Sequence, residues 1–79
     1  MLFFYMAKQR QIESVYHGVA LRIRNELEKR AKSAEKLAFE IDLSKAQLSL
    51  FLNGKRRMTL HTLARIAKGL EVPLRDLIP

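Results

Sequence analysis

Apolar residues recur every three or four positions from Gln11 to Ala31: Ile12, Val15, Tyr16, Val19, Ala20, Ile23, Leu27 and Ala31. That period winds them onto one side of a helix and leaves the other side wet. Gly18 interrupts the run at roughly 1 kcal/mol relative to alanine, so the helix should bend there or begin in earnest after it. Glu26 and Arg30 stand four apart with the acid first, the favourable order for a helix-surface pair.

Shorter patterns follow. Ser33 is a good N-cap for a helix of about two turns whose dry side is Leu37, Ala38 and Ile41. Asp42 and Leu43 make a turn, and Ser44 caps a helix over Lys45–Leu52 with Leu48, Phe51 and Leu52 facing inward. Asn53-Gly54 ends it, because glycine accepts a positive φ without strain. Thr59 caps a further helix carrying Leu60, Leu63, Ala64, Ile66, Ala67 and Leu70, with Gly69 in its last turn. Pro73 fits the first turn of a final short helix, where its missing N–H costs nothing, with Leu74, Leu77 and Ile78 as the apolar face. No run has period two and no segment repeats. The expected fold class is all-α with five helices: residues 1–10 form an N-terminal arm and residues 11–79 one helical domain.

A chain of 79 residues buries only about 60 % of its unfolded surface. With no cysteine it has neither a disulfide staple nor a thiolate metal site, which leaves dimerisation as the route to extra stability. His17 and His61 fall on different helices with no third ligand at a metal spacing. Ser14, Ser33, Ser44 and Ser49 have no base partner, and there is neither a glycine-rich phosphate loop nor a carboxylate pair in a cleft. No catalytic site, metal or cofactor is therefore expected. The tyrosines and the four phenylalanines read mostly as core or arm, since they do not interleave with basic residues as in single-strand binders.

Charge changes the picture. Fifteen Lys and Arg against eight Asp and Glu give +7, which calls for a polyanionic partner. Residues 43–70 contain Lys45, Lys55, Arg56, Arg57, Arg65 and Lys68 and no acid, whereas residues 1–42 are close to balanced. The asymmetry points to one basic face. The opening MLFFYM is too short for a membrane span, which needs about 20 apolar residues. Its cations follow the apolar run, the reverse of a signal peptide, so a cytoplasmic protein with no membrane partner is expected.

Leu37-Ala38, Leu43-Ser44, Leu48, Phe51, Asn53-Gly54 with its basic triplet, and Leu63/Ile66/Ala67/Leu70 before Glu71-Val72-Pro73 form an ordered set. Over roughly residues 21–78 this set resembles the Cro and lambda-repressor-like family, also called the XRE family, of helix-turn-helix regulators. The resemblance implies that Lys45–Leu52 is a recognition helix. Lys45, Ala46, Ser49 and Leu50 would then face base edges: lysine can donate to guanine, and alanine or leucine can touch a thymine methyl. Ser44, Gln47, Asn53, Lys55, Arg56 and Arg57 would hold phosphates. It further implies a homodimer on a roughly palindromic double-stranded operator, repressing transcription, with autoregulation included. The alternative is an antitoxin-type module that binds a toxin partner and represses its own operon; a basic architectural protein without sequence preference is a further rival.

Three positions depart from the family pattern. Ala34 replaces a frequent phosphate-touching glutamine at the second residue of the second helix. Leu27 and Leu52 stand where many members bury an arginine against a glutamate. Losing one partner strands a charge at several kcal/mol, whereas replacing both with apolar groups can be neutral. Lys32 occupies a position that is usually apolar.

Overall fold

The computed structural model describes the backbone of residues 2–79 and the side chains from Ile12 onward. Four α-helices are present: α1 (Leu2–Lys29), α2 (Ala34–Glu40), α3 (Lys45–Leu52) and α4 (Leu60–Leu70). A single 3-10 turn, Leu74–Leu77, closes the chain, and there is no strand among the described residues.

Where a fifth α-helix was expected, the chain thus makes only this tighter turn. Four residues are too few for an α-helical segment to close more than one bond, and 3-10 geometry suits such short pieces. Pro73 sits at its N-cap rather than inside its first turn. Leu77 is fully buried and Leu74 half-buried, but Ile78 is exposed and does not share their face.

Helix α1 differs from the expected Gln11–Ala31 run at both ends. It runs unbroken through Gly18, and its 28 residues span about 42 Å, close to the molecule's longest dimension of 44 Å. The arm expected over residues 1–10 concerns side chains outside the described ones; the backbone from Leu2 belongs to α1. Among the described side chains of α1, Val19, Ala20, Ile23 and Leu27 enter the core, whereas Ile12 and Val15 remain exposed although they share the apolar period.

Each element contributes to one core. Ile23 of α1, Leu37 of α2, Leu48 of α3, Ile66 and Leu70 of α4 and Leu77 of the terminal turn are all fully excluded from water. Leu27 and Leu52 are both buried in the one core cluster, so the two departures from the family's ion pair are both accommodated as apolar core groups. No polar or charged residue is buried among the described ones. Phe51 is core as expected of most of the phenylalanines, whereas Phe39 is the exception, 87 % exposed on α2. Leu60 likewise stands 68 % exposed at the start of α4.

All four helices end in the same way. At each stop one amide bonds to the carbonyl three residues back and the next amide to the carbonyl five residues back: Ala31 to Glu28 and Lys32 to Leu27, Asp42 to Phe39 and Leu43 to Ala38. Gly54 to Phe51 with Lys55 to Leu50, and Glu71 to Lys68 with Val72 to Ala67, complete the set. The left-handed residue is glycine only at Gly54 (φ 72°); Ala31, Asp42 and Glu71 hold it at φ 49°, 56° and 59°. Gly69 is needed for a different reason. A Cβ there would lie 2.6 Å from Ile41 Cγ2 and 2.8 Å from Leu37 Cδ1, so its hydrogen lets α4 press against α2.

Polar side chains tie the ends together. Lys32 Nζ reaches Glu40 Oε1 at 2.7 Å and the Gly69 carbonyl at 3.4 Å, which explains a lysine at an otherwise apolar position. Arg30 pairs with Glu26 as the spacing implied, and that hydrogen bond, with Lys29 beside it, holds the Glu26 carboxyl below its ordinary range.

Candidate nucleic-acid interface

Helices α2 and α3 are joined by a turn of Ile41 to Ser44, with Asp42 in the left-handed region. Arg65 of α4 holds that turn from below. Its guanidinium donates to the Ile41 carbonyl and, at 3.0 Å, to the Asp42 carbonyl. Arg65 therefore serves the turn rather than a free basic surface, a role its place in an acid-free stretch did not reveal.

Ser44 starts α3 with a reciprocal cap. Its Oγ accepts from the Gln47 amide at 3.0 Å, and Gln47 Oε1 accepts from the Ser44 amide at 3.4 Å. Gln47 Oε1 also accepts from the Ser44 hydroxyl at 3.2 Å. Both side chains are exposed but already engaged with each other, so a phosphate would meet chiefly the side-chain nitrogen of Gln47.

Lys45, Ala46 and Ser49 are exposed along the first turns of α3, and Leu50 is half-buried. Lys45 Nζ lies 3.4 Å from Glu35 Oε2 on α2, with both side chains about seven-tenths exposed. The nearest acid to the expected base reader thus comes from the neighbouring helix, ten residues earlier in the chain.

At the other end of α3 a network forms. Asn53 Nδ2 donates to Ser49 Oγ at 3.2 Å, and Asn53 Oδ1 accepts from Arg24 Nη2 at 2.9 Å. The same Arg24 nitrogen donates to the Leu52 carbonyl at 3.0 Å. Arg24, one exposed arginine on α1, carries no motif in the sequence; only the fold brings it to the end of α3.

The basic triplet is positioned by backbone. Lys55 and Arg56 amides donate to the Leu50 carbonyl at 2.9 and 3.3 Å, which ties the loop to the last turn of α3. Arg57 places its guanidinium carbon 5.7 Å from the centroid of the Tyr16 ring, within cation–π range. Lys55, Arg56 and Arg57 are exposed and form no ion pair among the described residues. The ten expected contact residues therefore lie on α3, its cap and the loop that follows it, with Ser44 and Lys45 at one end and Asn53–Arg57 at the other.

No group of three or more His, Asp or Glu among the described residues is arranged to hold a metal, and no described helix is long and apolar enough to cross a membrane. A small helix with exposed donors, flanked by uncompensated cations, is suited to a groove edge and its phosphates.

Comparison with known proteins agrees with this geometry. The model of the Cro/C1-type HTH DNA-binding domain matches residues 22–79. No curated protein matches the chain. Among solved structures, an HTH_3 family transcriptional regulator from Vibrio cholerae superposes with a TM-score of 0.77 at 28 % identity, over 82 % of this chain and 36 % of that one. The restriction-modification controller protein C.AhdI from Aeromonas hydrophila shares the fold at TM-score 0.74 and 24 % identity, over 78 % of this chain and 90 % of that one. Hydroxypropylphosphonic acid epoxidase from S. wedmorenis also shares it, at TM-score 0.76 and 24 % identity, over 85 % of this chain and 36 % of the enzyme. The chain thus spans about a third of the regulator and of the epoxidase, and for the epoxidase the likeness is one of fold alone. With the helix-turn-helix geometry and a family match over most of its length, the chain belongs to the Cro/C1-type family of helix-turn-helix DNA-binding domains.

Proposed function

We propose that this chain represses transcription by binding a specific double-stranded operator as a homodimer. One observation carries the reading: α3 presents exposed Lys45, Ala46 and Ser49 at its start and a tethered, uncompensated cationic loop at its end. Lys45, Ala46, Ser49 and Leu50 would touch base edges. Ser44, Gln47, Asn53, Lys55, Arg56 and Arg57 would fix the helix on phosphates, supplying affinity but little sequence information.

A homodimer sets two such helices about 34 Å apart, one turn of duplex, which makes the operator roughly palindromic. An apolar groove of about 230 Å³ between α1 and the start of α4 supports this partner. Val15, Val19, Met58, Leu60, Leu63 and Ile78 line it, and Val15, Leu60 and Ile78 stand in water. An exposed apolar surface of this kind on a small domain marks an association site. The same groove would seat a toxin if the chain were an antitoxin-type module. A basic regulator of this kind would act in the cytoplasm, where the operator is.

The test is a nuclease footprint on the DNA flanking the gene, with mass by light scattering on the same preparation. The reading requires a two-fold symmetric protected site and the mass of two identical chains. Co-purification of a second, different chain seated on the groove would favour the antitoxin reading; a monomer with no preferred site would refute both.

A further inference from the structure

A cleft of about 510 Å³ lies between α1 and the loop after α3. Arg24, Arg56 and Arg57 line it, with Asn53 beside them and Glu13 as the one acid on its wall. Three guanidinium groups against one carboxylate leave the cleft short of negative charge. Arg24 is not free to swing away: Nη2 is fixed on the Leu52 carbonyl and Asn53 Oδ1, which leaves Nη1 and Nε without a described partner. Arg57 is likewise held, over the ring of Tyr16.

We propose that this cleft takes a backbone phosphate of the bound duplex, which makes the face of α1 around Tyr16 and Arg24 part of the DNA-binding surface. The proposal rests on the DNA-binding reading above. Prepositioned guanidinium forks match the oxygens of a phosphate better than any other common anion donor set. The connection to the strand is short. Asn53, which caps α3, bridges Arg24 on one side and Ser49 of the reading helix on the other, at 2.9 and 3.2 Å. A strand leaving α3 at Asn53 therefore passes directly onto the cleft. The outer wall, Glu13 to Ala20, precedes the family match, which begins at residue 22.

The experiment uses the full chain and a short duplex of arbitrary sequence, because a phosphate contact is independent of sequence and survives a failed search for the operator. The logarithm of the binding constant is followed against the logarithm of salt for wild type, Arg24→Gln and Glu13→Gln. Arg24→Gln is expected to shrink the slope by about 0.9, the release of one counterion. Glu13→Gln is expected to tighten binding at low salt, since it removes the acid that opposes the phosphate. Opposite signs on one cleft are not produced by a purely structural role. Should Arg24→Gln fail to fold, as read by helical circular dichroism, Glu13→Gln alone decides, because Glu13 is exposed and makes no described bond. An unchanged slope in folded Arg24→Gln, or unchanged or weaker binding in Glu13→Gln, overturns the proposal. No binding of wild type to any duplex overturns both this and the DNA reading. Inorganic phosphate at matched ionic strength, followed by NMR at Arg24 and Gly54, separates the sources: saturation at micromolar phosphate assigns the cleft to a free anion and overturns the strand assignment.

Discussion

Lys45, the proposed base reader at the start of α3, is paired with Glu35 of α2 across 3.4 Å of exposed surface. An ion pair as wet as this contributes little to folding, from nothing to about 1 kcal/mol. Its consequence lies in binding, since Glu35 must release Lys45 before the lysine can reach a guanine, and also repels the approaching strand. Glu35→Gln should leave the melting temperature nearly unchanged and tighten binding to every duplex at low salt. Weaker binding in the variant would mean that Glu35 orients Lys45 productively.

Lys45 itself should discriminate. Lys45→Ala is expected to lose about 1–3 kcal/mol more on the operator than on random DNA, the worth of one base contact. Parallel titrations of the two duplexes check this, and an equal loss on both would reduce Lys45 to a phosphate contact.

Leu27 and Leu52 are buried in one cluster where many relatives place an ion pair. Leu27→Arg alone would bury a charge with no partner, and urea denaturation should show a loss of about 3–5 kcal/mol. Adding Leu52→Glu should recover most of it. If the single variant is as stable as the wild type, the arginine has found water and the two positions do not face each other.

Three of the four helix stops place a residue other than glycine in the left-handed region. Ala31 bears this most plainly, because its methyl offers no compensating hydrogen bond, whereas a short polar side chain can offer one. Ala31→Gly should therefore raise stability by about 1 kcal/mol, or about 4–8 °C in melting temperature for a domain of this size. An unaltered or lower melting temperature would show that the lost chain stiffness outweighs the relieved strain.

Those stops also explain which parts of the fold were legible in the sequence. The end of α3 was plain because Asn53-Gly54 carries the usual signal, and Gly54 does adopt a φ of 72°. Where Ala31 does the same work the sequence offers no mark, and the first helix reads two residues too long. The caps Ser33, Ser44 and Thr59 were readable, since each bonds to an amide three residues on. Periodicity misjudged Ile12, Val15 and Leu60: spacing says which residues share a face, not whether the chain has anything to place against it. Roles that depend on distant partners were hidden for the same reason. Arg24 and Arg65 look like ordinary surface cations until the fold brings them to the end of α3 and the turn before α3.

The most direct test of the account is fluorescence anisotropy with DNA flanking the gene against a scrambled duplex, from low to physiological salt. A specific regulator should prefer the native sequence by about 1000-fold or more, with the preference surviving at physiological salt. Equal binding to both duplexes that disappears as salt rises would contradict it, leaving a basic helical domain whose sequence-reading helix reads nothing.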